Sequence, residues 1–350
     1  MTHHVHVGTR DDPHDQARKA RQLPLLLHSM SIFRELFEII FAARKIDTVV
    51  EVGVESGKVS GMYVELGASA VYCIDPKPTD ELRANLARNE ALHLVEGWSP
   101  EVLADLPVAD LYVLDGDHNY AIVHDELAWI TANAPDALIV LHDVLWPCSR
   151  RDLYYEPSVV PPERRHPASN DGPTVWHDEL SPGGFVGLGA VTSAVDAGGE
   201  RNGVLTAVED AIADGDWLFS LIPAVFGMGV MIRHASPEAA ELLERLRPYS
   251  ESVLLATLEN NRIALYTKLL QMQFEAVAHA DDADRLAETI SGQRHEIDRL
   301  RAGLDEVDVH HAELRRENDR LRDLLNRRFR PQLAAKITRA ARNAKNALHK

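Results

Sequence analysis

Residues 46–53 read IDTVVEVG, and the same kind of run returns four times: SAVYCID at 69–75, LHLVEG at 92–97, ADLYVLDG at 109–116 and ALIVLHD at 137–143. Each run is short, β-branched and apolar nearly throughout, as strands covered on both faces are. An amphipathic segment separates each from the next, which predicts a parallel sheet with crossover helices. The polar stretch 146–182, rich in Pro, Arg and Tyr, is long enough to predict a lid or an unstructured segment. GVLTAVEDAIADG at 203–215 predicts a helix. WLFSLIPAVFGMGVMIR at 217–233 predicts two strands whose turn is too short for a crossover, so the pair must be antiparallel. The expected fold class is α/β, a seven-stranded, mostly parallel sheet with a closing antiparallel hairpin.

No further strand is evident beyond Ser236. Residues 236–282 read as a helical connector, and 283–330 carry a heptad repeat. Ile290, Ile297, Leu304, His311, Asn318 and Leu325 fall at a; Leu286, Gln293, Leu300, Val307, Leu314 and Leu321 fall at d. Ile or Leu at most a positions, Leu at most d positions and one Asn at a favour a parallel two-stranded coiled coil, hence a homodimer. Gly303, Gln293 and His311 weaken the pattern, and a long helix folded back on the domain is the alternative. Pro331 is expected to end the helix. The tail 331–350 reads as a basic amphipathic segment suited to an anionic surface or partner. At the other end, residues 1–25 read as a flexible segment.

Composition narrows the function. The 350 residues are 45% hydrophobic with a formal net charge of −17, enough to bury a full core and unsuited to general nucleic-acid binding, which needs clustered cations. The charge is unevenly spread. Eight of the 37 Lys and Arg and none of the 54 Asp and Glu lie between Arg327 and Lys350, so residues 1–326 carry a formal −25. No run reaches the ~18 apolar residues of a membrane span, and the first residues lack the apolar centre of a signal peptide, so a cytoplasmic protein is expected. Cys73 and Cys148 have no metal-ligand spacing and read as packing residues.

The chemistry gathers where the strands end. VVEVGVESGKVSG, 49–61, places Gly53 and Gly57 after the first strand, where open α/β sheets bind ligands and backbone can approach closely. The G-x-G-x-x-G pattern is absent, which disfavours a nicotinamide dinucleotide. Asp75 ends the second strand and suits a ribose diol. Gly97 gives backbone access after the third, and Trp98 either stacks on a base or packs in the core. LDGDHNY, 114–120, ends the fourth strand with two carboxylates and an imidazole. Asp117 or Asn119 can cap a helix whose apolar positions are Tyr120, Val123, Leu127 and Ile130. Capping does not require Asp115, Asp117 and His118 together.

With these motifs in hand, residues 29–233 resemble class I S-adenosylmethionine-dependent methyltransferases, Rossmann-like enzymes with the same closing hairpin. EVGVESG, DGDHNY and LHD resemble the branch of sugar O-methyltransferases related to macrocin O-methyltransferase and the cephalosporin-hydroxylase-like proteins. The resemblance implies a methyltransferase domain over 26–235, with 146–182 as its lid. It implies that Glu51, Gly53 and Gly57 hold the methionine end of the cofactor, that Asp75 takes the ribose and that Gly97 and Trp98 border the adenine. The cofactor carries an ammonium and a sulfonium, which Glu51, Glu55 and Asp115 would favour electrostatically. In the related sugar enzymes acidic pairs at the ends of strands four and five hold a divalent cation; the counterparts here are Asp115 with Asp117, and His142 with Asp143. His142 departs from that pattern, since imidazole suits transition metals better than Mg²⁺. A metal held by Asp115, His142 and Asp143 is therefore one reading. Metal-free general-base catalysis by His118, or next by Asp117, is the other.

Arg150, Arg151, Tyr154 and Tyr155 in the lid offer donors and flat faces for gripping a sugar or an acidic group. The expected function is O-methylation of a glycan, a glycosylated natural product or another small-molecule hydroxyl. A cephalosporin-hydroxylase-like oxidoreductase is the alternative, and a coiled-coil scaffold with a non-catalytic domain a further one.

Overall fold

The computed structural model describes residues 11–12, 14–22, 30–186 and 189–347. Within the expected flexible segment 1–25, helix α1 (Asp15–Ala20) is formed, while 1–10, 13 and 23–25 lie outside the described residues. The chain divides into two compact units, Met1–Glu275 and Ala276–Lys350.

In the first unit, α2 (Arg34–Ala43) leads to β1 (Thr48–Val52), α3 (Gly61–Leu66), β2 (Ala70–Asp75), α4 (Asp80–Leu86), β3 (Leu92–Glu96), β4 (Leu111–Leu114), α5 (Tyr120–Asn133) and β5 (Leu138–His142). Then follow β6 (Leu153–Tyr155), β7 (Ala168–Ser169), β8 (Val191–Ala194), α6 (Val204–Ala211), β9 (Trp217–Ile222), β10 (Met228–Arg233) and α7 (Ala239–Ser250). Among the described residues, seven strands form one sheet in the order β3-β2-β1-β4-β5-β10-β9. β1 to β5 pair in parallel, whereas β10 runs antiparallel to β5 and β9.

The apolar runs are explained by cover on both faces. Successive strand residues point to opposite sides. Val49, Leu111, Val113 and Val140 pack in one core with Phe37 and Ile40 of α2, Tyr63 of α3 and Leu242 of α7. Their neighbours Val50, Tyr112, Leu114 and Ile139 pack in the other with Val123, Leu127 and Ile130 of α5 and Val208 of α6. Burial of each such side chain contributes ~1.5–3 kcal/mol.

From β1 the chain winds outward through β2 and β3, then returns to β4 on the opposite side of β1. Connections from β1 and β4 therefore diverge and leave a crevice at their carboxyl ends. Gly53 makes the strand ends fit: its φ is +83°, and a Cβ there would lie 2.2 Å from the Asp115 carbonyl oxygen. Any side chain at 53 would drive β1 and β4 apart.

The region read as a lid supplies β6 and β7 to a separate antiparallel sheet, ordered β6-β8-β7, whose middle strand lies beyond that region. It is joined to the main sheet's crevice by Leu153 N, which donates to His118 O at 3.0 Å.

Helix α8 (Val253–Ala347) is 95 residues long. Its start belongs to the first unit, where Tyr266 packs edge-on to Phe185. The rest makes up the second unit. Pro331 lies inside this helix and does not end it. Proline removes one backbone bond and costs ~3 kcal/mol, but the Leu, Ala, Arg and Lys on both sides are strong helix formers.

Candidate active site at the strand ends

At the carboxyl end of β1, Glu55 has φ +51° and Gly57 φ +70°, and Gly57 N closes the turn on Val54 O at 3.0 Å. The left-handed conformation is costly for a non-glycine residue such as Glu55, and its side chain stands exposed at the turn. Glu51 is placed differently. It is buried, accepting hydrogen bonds from Ser60 Oγ and from Tyr63 OH at 3.2 Å. Burial pushes its carboxyl up to about 7, against the pull of those two donors. Glu51 thus ties β1 to α3 beneath the turn.

Asp75 ends β2 partly exposed, its Oδ1 accepting from Lys77 N at 2.8 Å. Gly97 follows β3, where a Cβ would meet Val102 at 2.3 Å. Trp98 is partly buried, with Lys77 Nζ 5.8 Å from its ring centroid. One face of the indole is thus lined by a cation.

At β4 and β5 the structure brings four predicted residues together. His142 Nδ1 lies 3.0 Å from Asp115 Oδ1 and 3.4 Å from Asp143 Oδ2, and its Nε2 lies 2.9 Å from Val225 O. Every partner of this ring is an acceptor, so both nitrogens carry protons. Burial opposes the charge, but Asp115 and Asp143 outweigh it and hold His142 well above the ordinary imidazole range. Asp143 is held below the usual carboxylate range: burial works against this, and the His142 and His118 charges prevail.

His118 stands across Asp143, with Nδ1 3.3 Å from Asp143 Oδ2 and Nε2 3.3 Å from the Tyr155 hydroxyl. Asp117 does not join this group. Its Oδ1 accepts from Asn119 Nδ2 at 3.1 Å, and burial raises its carboxyl, with His118 opposing. Asn119 is the N-cap of α5, accepting from Ile122 N at 3.0 Å, so capping and the carboxylate–imidazole cluster occur side by side.

Asp115, His142 and Asp143 offer ligand atoms within 4.8 Å of one another, as do His118, Asp143 and Cys148. The first set, two carboxylate oxygens and an imidazole whose outer nitrogen is anchored on a carbonyl, would suit a divalent transition ion once the ion displaces the proton on His142 Nδ1.

Several supporting residues carry no local signal in the sequence. Asp152 is fully buried; Oδ1 accepts from Tyr120 N and Gly203 N, both at 2.7 Å, and Oδ2 from Tyr154 OH at 2.8 Å. It joins the start of α5, the 198–204 loop and β6, and so fixes the backbone that carries His118. Glu259 of α8 accepts from Val225 N at 2.9 Å and Phe226 N at 2.8 Å, holding the β9–β10 turn whose carbonyl meets His142. Two lid residues expected to grip an acceptor are spent on structure. Arg151 donates to Ala194 O at 2.6 Å and Val195 O at 2.7 Å, and Tyr154 is buried on Asp152. Arg150 pairs with Glu209 at 2.6 Å. Tyr155 alone of the four reaches the cluster.

Residues 50–144, which run from β1 through β5 and include the polar strand ends, match the family described as a methyltransferase domain. None of the curated proteins matches the sequence. Among solved structures, the O-methyltransferase from Bacillus cereus in complex with SAH is 13% identical, with 62% of this chain and 87% of that chain covered and a TM-score of 0.37. A methyltransferase from Geobacter sulfurreducens is 15% identical, with 63% and 85% covered and a TM-score of 0.35. The ribosomal protein L11 methylase from Lactobacillus delbrueckii subsp. bulgaricus is 17% identical, with 58% and 79% covered and a TM-score of 0.33.

Proposed function

We propose that the chain is an O-methyltransferase acting on a hydroxyl of a glycan or glycosylated natural product, with His118 as general base. The observation that carries this reading is the partly exposed His118 imidazole, oriented by Asp143 on one nitrogen and facing Tyr155 with the other. The likeness of DGDHNY and LHD to sugar O-methyltransferases supports the acceptor class.

S-adenosylmethionine, when bound, supplies the methyl group on its sulfonium. The Gly53–Gly57 turn with Glu55 would hold its methionine end, Asp75 the ribose hydroxyls, and Gly97 with Trp98 the adenine. Glu51 acts from beneath, fixing the turn. His118 Nε2 takes the acceptor's hydroxyl proton as the oxygen gains the methyl, and Asp143 stabilises the imidazolium that results. Tyr155 orients the acceptor beside that nitrogen. Alignment of this kind can supply ~7–11 kcal/mol of a barrier. Where a divalent ion is present, Asp115, His142 and Asp143 would hold it, and it would lower the pKa of an acceptor hydroxyl bound to it.

The methyltransferase domain occupies 26–235 in this reading. The heptads of 283–330 pair two copies in parallel, covering positions such as Ile290, Ile297 and Leu304 that are exposed in the single chain. No described helix is long and apolar enough to cross a membrane, and we place the enzyme in the cytoplasm.

The reading is tested by His118→Ala assayed with S-adenosylmethionine and a panel of sugar hydroxyl acceptors. Cofactor affinity should be unchanged and turnover should fall by roughly 10²–10⁴, the range for loss of a general base. Wild-type turnover with a lowered melting temperature would reduce His118 to a structural residue.

A further inference from the structure

Residues 327–345 continue α8 past the heptads and have a character of their own. Arg327, Arg328, Arg330, Lys336, Arg339, Arg342 and Lys345 occur there without a single acid, and all of them are exposed. At ~100° per residue of helix, Phe329, Leu333, Ile337, Ala340 and Ala344 fall within about 40° of one line along the surface. The same geometry puts the seven cations about 60° or more away from that line, on both sides and behind it. Phe329, Leu333 and Ile337 are 55%, 62% and 63% exposed.

A helix with a narrow apolar stripe flanked by Lys and Arg, and too polar overall to span a bilayer, is built to lie in the plane of a lipid–water interface. We infer that residues 327–345 dock on an anionic lipid surface. Phe329, Leu333 and Ile337 enter the boundary between headgroups and acyl chains, and the cations meet lipid phosphates. Charge complementarity singles out this segment, because the preceding 326 residues carry a formal −25 and are repelled by the same surface. A nucleic-acid duplex would engage the cations equally but has no use for the apolar stripe, so the stripe decides for lipid.

The test is flotation of the full chain with phosphatidylcholine vesicles, with and without phosphatidylglycerol. The chain should float only with the anionic vesicles, and high salt should release it. Arg330→Gln, Lys336→Gln, Arg339→Gln and Arg342→Gln combined should lower partitioning on the order of 10²- to 10³-fold. Phe329→Ser, Leu333→Ser and Ile337→Ser combined should lower it about tenfold or more with all charges intact. Both variants should keep the wild-type circular dichroism and melting profile, since every substituted side chain is exposed. The inference is overturned if the wild-type chain does not float with anionic vesicles, or if flotation survives either variant. It is equally overturned if a mixed-sequence RNA duplex binds more tightly than the vesicles and that binding ignores the serine substitutions. None of these readings depends on methyl transfer.

Discussion

Glu126→Gln should stabilise the protein at alkaline pH and do little at acid pH. Glu126 lies on α5, 2% exposed, and its Oε1 makes no hydrogen bond among the described residues. Burial pushes its carboxyl from 4.5 up to about 8; the charges of Asp117 and Asp125 add to this, and the Ser99 hydroxyl works against it. A carboxyl raised on folding keeps a proton that the unfolded chain has already lost. Its effect on stability is therefore favourable at low pH and is withdrawn as pH climbs from 4.5 to about 8. At ~1.4 kcal/mol per pH unit, that window amounts to ~5 kcal/mol. Glutamine has the same shape and no charge, so the variant should match wild type near pH 5 and exceed it by ~2–4 kcal/mol near pH 8. Urea unfolding followed by tryptophan fluorescence at a series of pH values reads the difference directly, because every other titrating group is shared by the two proteins. A difference independent of pH, or one that favours wild type at high pH, would refute the argument.

Three further outcomes follow from the site. Asp152→Ala strands the amides of Tyr120 and Gly203 and the Tyr154 hydroxyl, and should cost ~2–4 kcal/mol by urea unfolding; a loss below ~1 kcal/mol would show that the junction is not held by this carboxylate. Truncation after residue 280 keeps Glu259 and Tyr266 and removes the heptads, so sedimentation should show a folded monomer, and a truncated dimer would place the interface elsewhere. Elemental analysis of purified protein, before and after chelation, should find a divalent ion that Asp115→Asn with Asp143→Asn abolishes if the metal arrangement operates. A metal-free wild type with full turnover after chelation would leave His118 acting alone.

The parallel sheet was legible because strands covered on both faces must be apolar almost throughout, and 48–52, 111–114 and 138–142 are nearly so. The cluster was legible for the complementary reason: Asp115, His118, His142 and Asp143 stand where buried strands stop, and nothing in strand packing requires them. The second sheet was not legible. Its strands are three, two and four residues long, too short for alternation to show against Pro and Arg. The composition of 146–182 could not separate an arginine that meets a ligand from one like Arg151, whose acceptors are carbonyls 27 to 44 residues away. Asp152 and Glu259 were invisible for the same reason, since their partners are supplied by the fold. The stop expected at Pro331 weighed one residue's penalty without the helix propensity around it.

The proposed binding of S-adenosylmethionine at the ends of β1, β2 and β3 can be tested without knowing the acceptor. Isothermal titration of the full chain with S-adenosylhomocysteine, and separately with NAD, should show saturable binding of the first and none of the second. Asp75→Ala should weaken the S-adenosylhomocysteine affinity by about 1.5–3 kcal/mol, the worth of hydrogen bonds to a charged group. Binding of NAD in place of S-adenosylhomocysteine, or an Asp75→Ala protein that binds S-adenosylhomocysteine as tightly as wild type, would contradict the account.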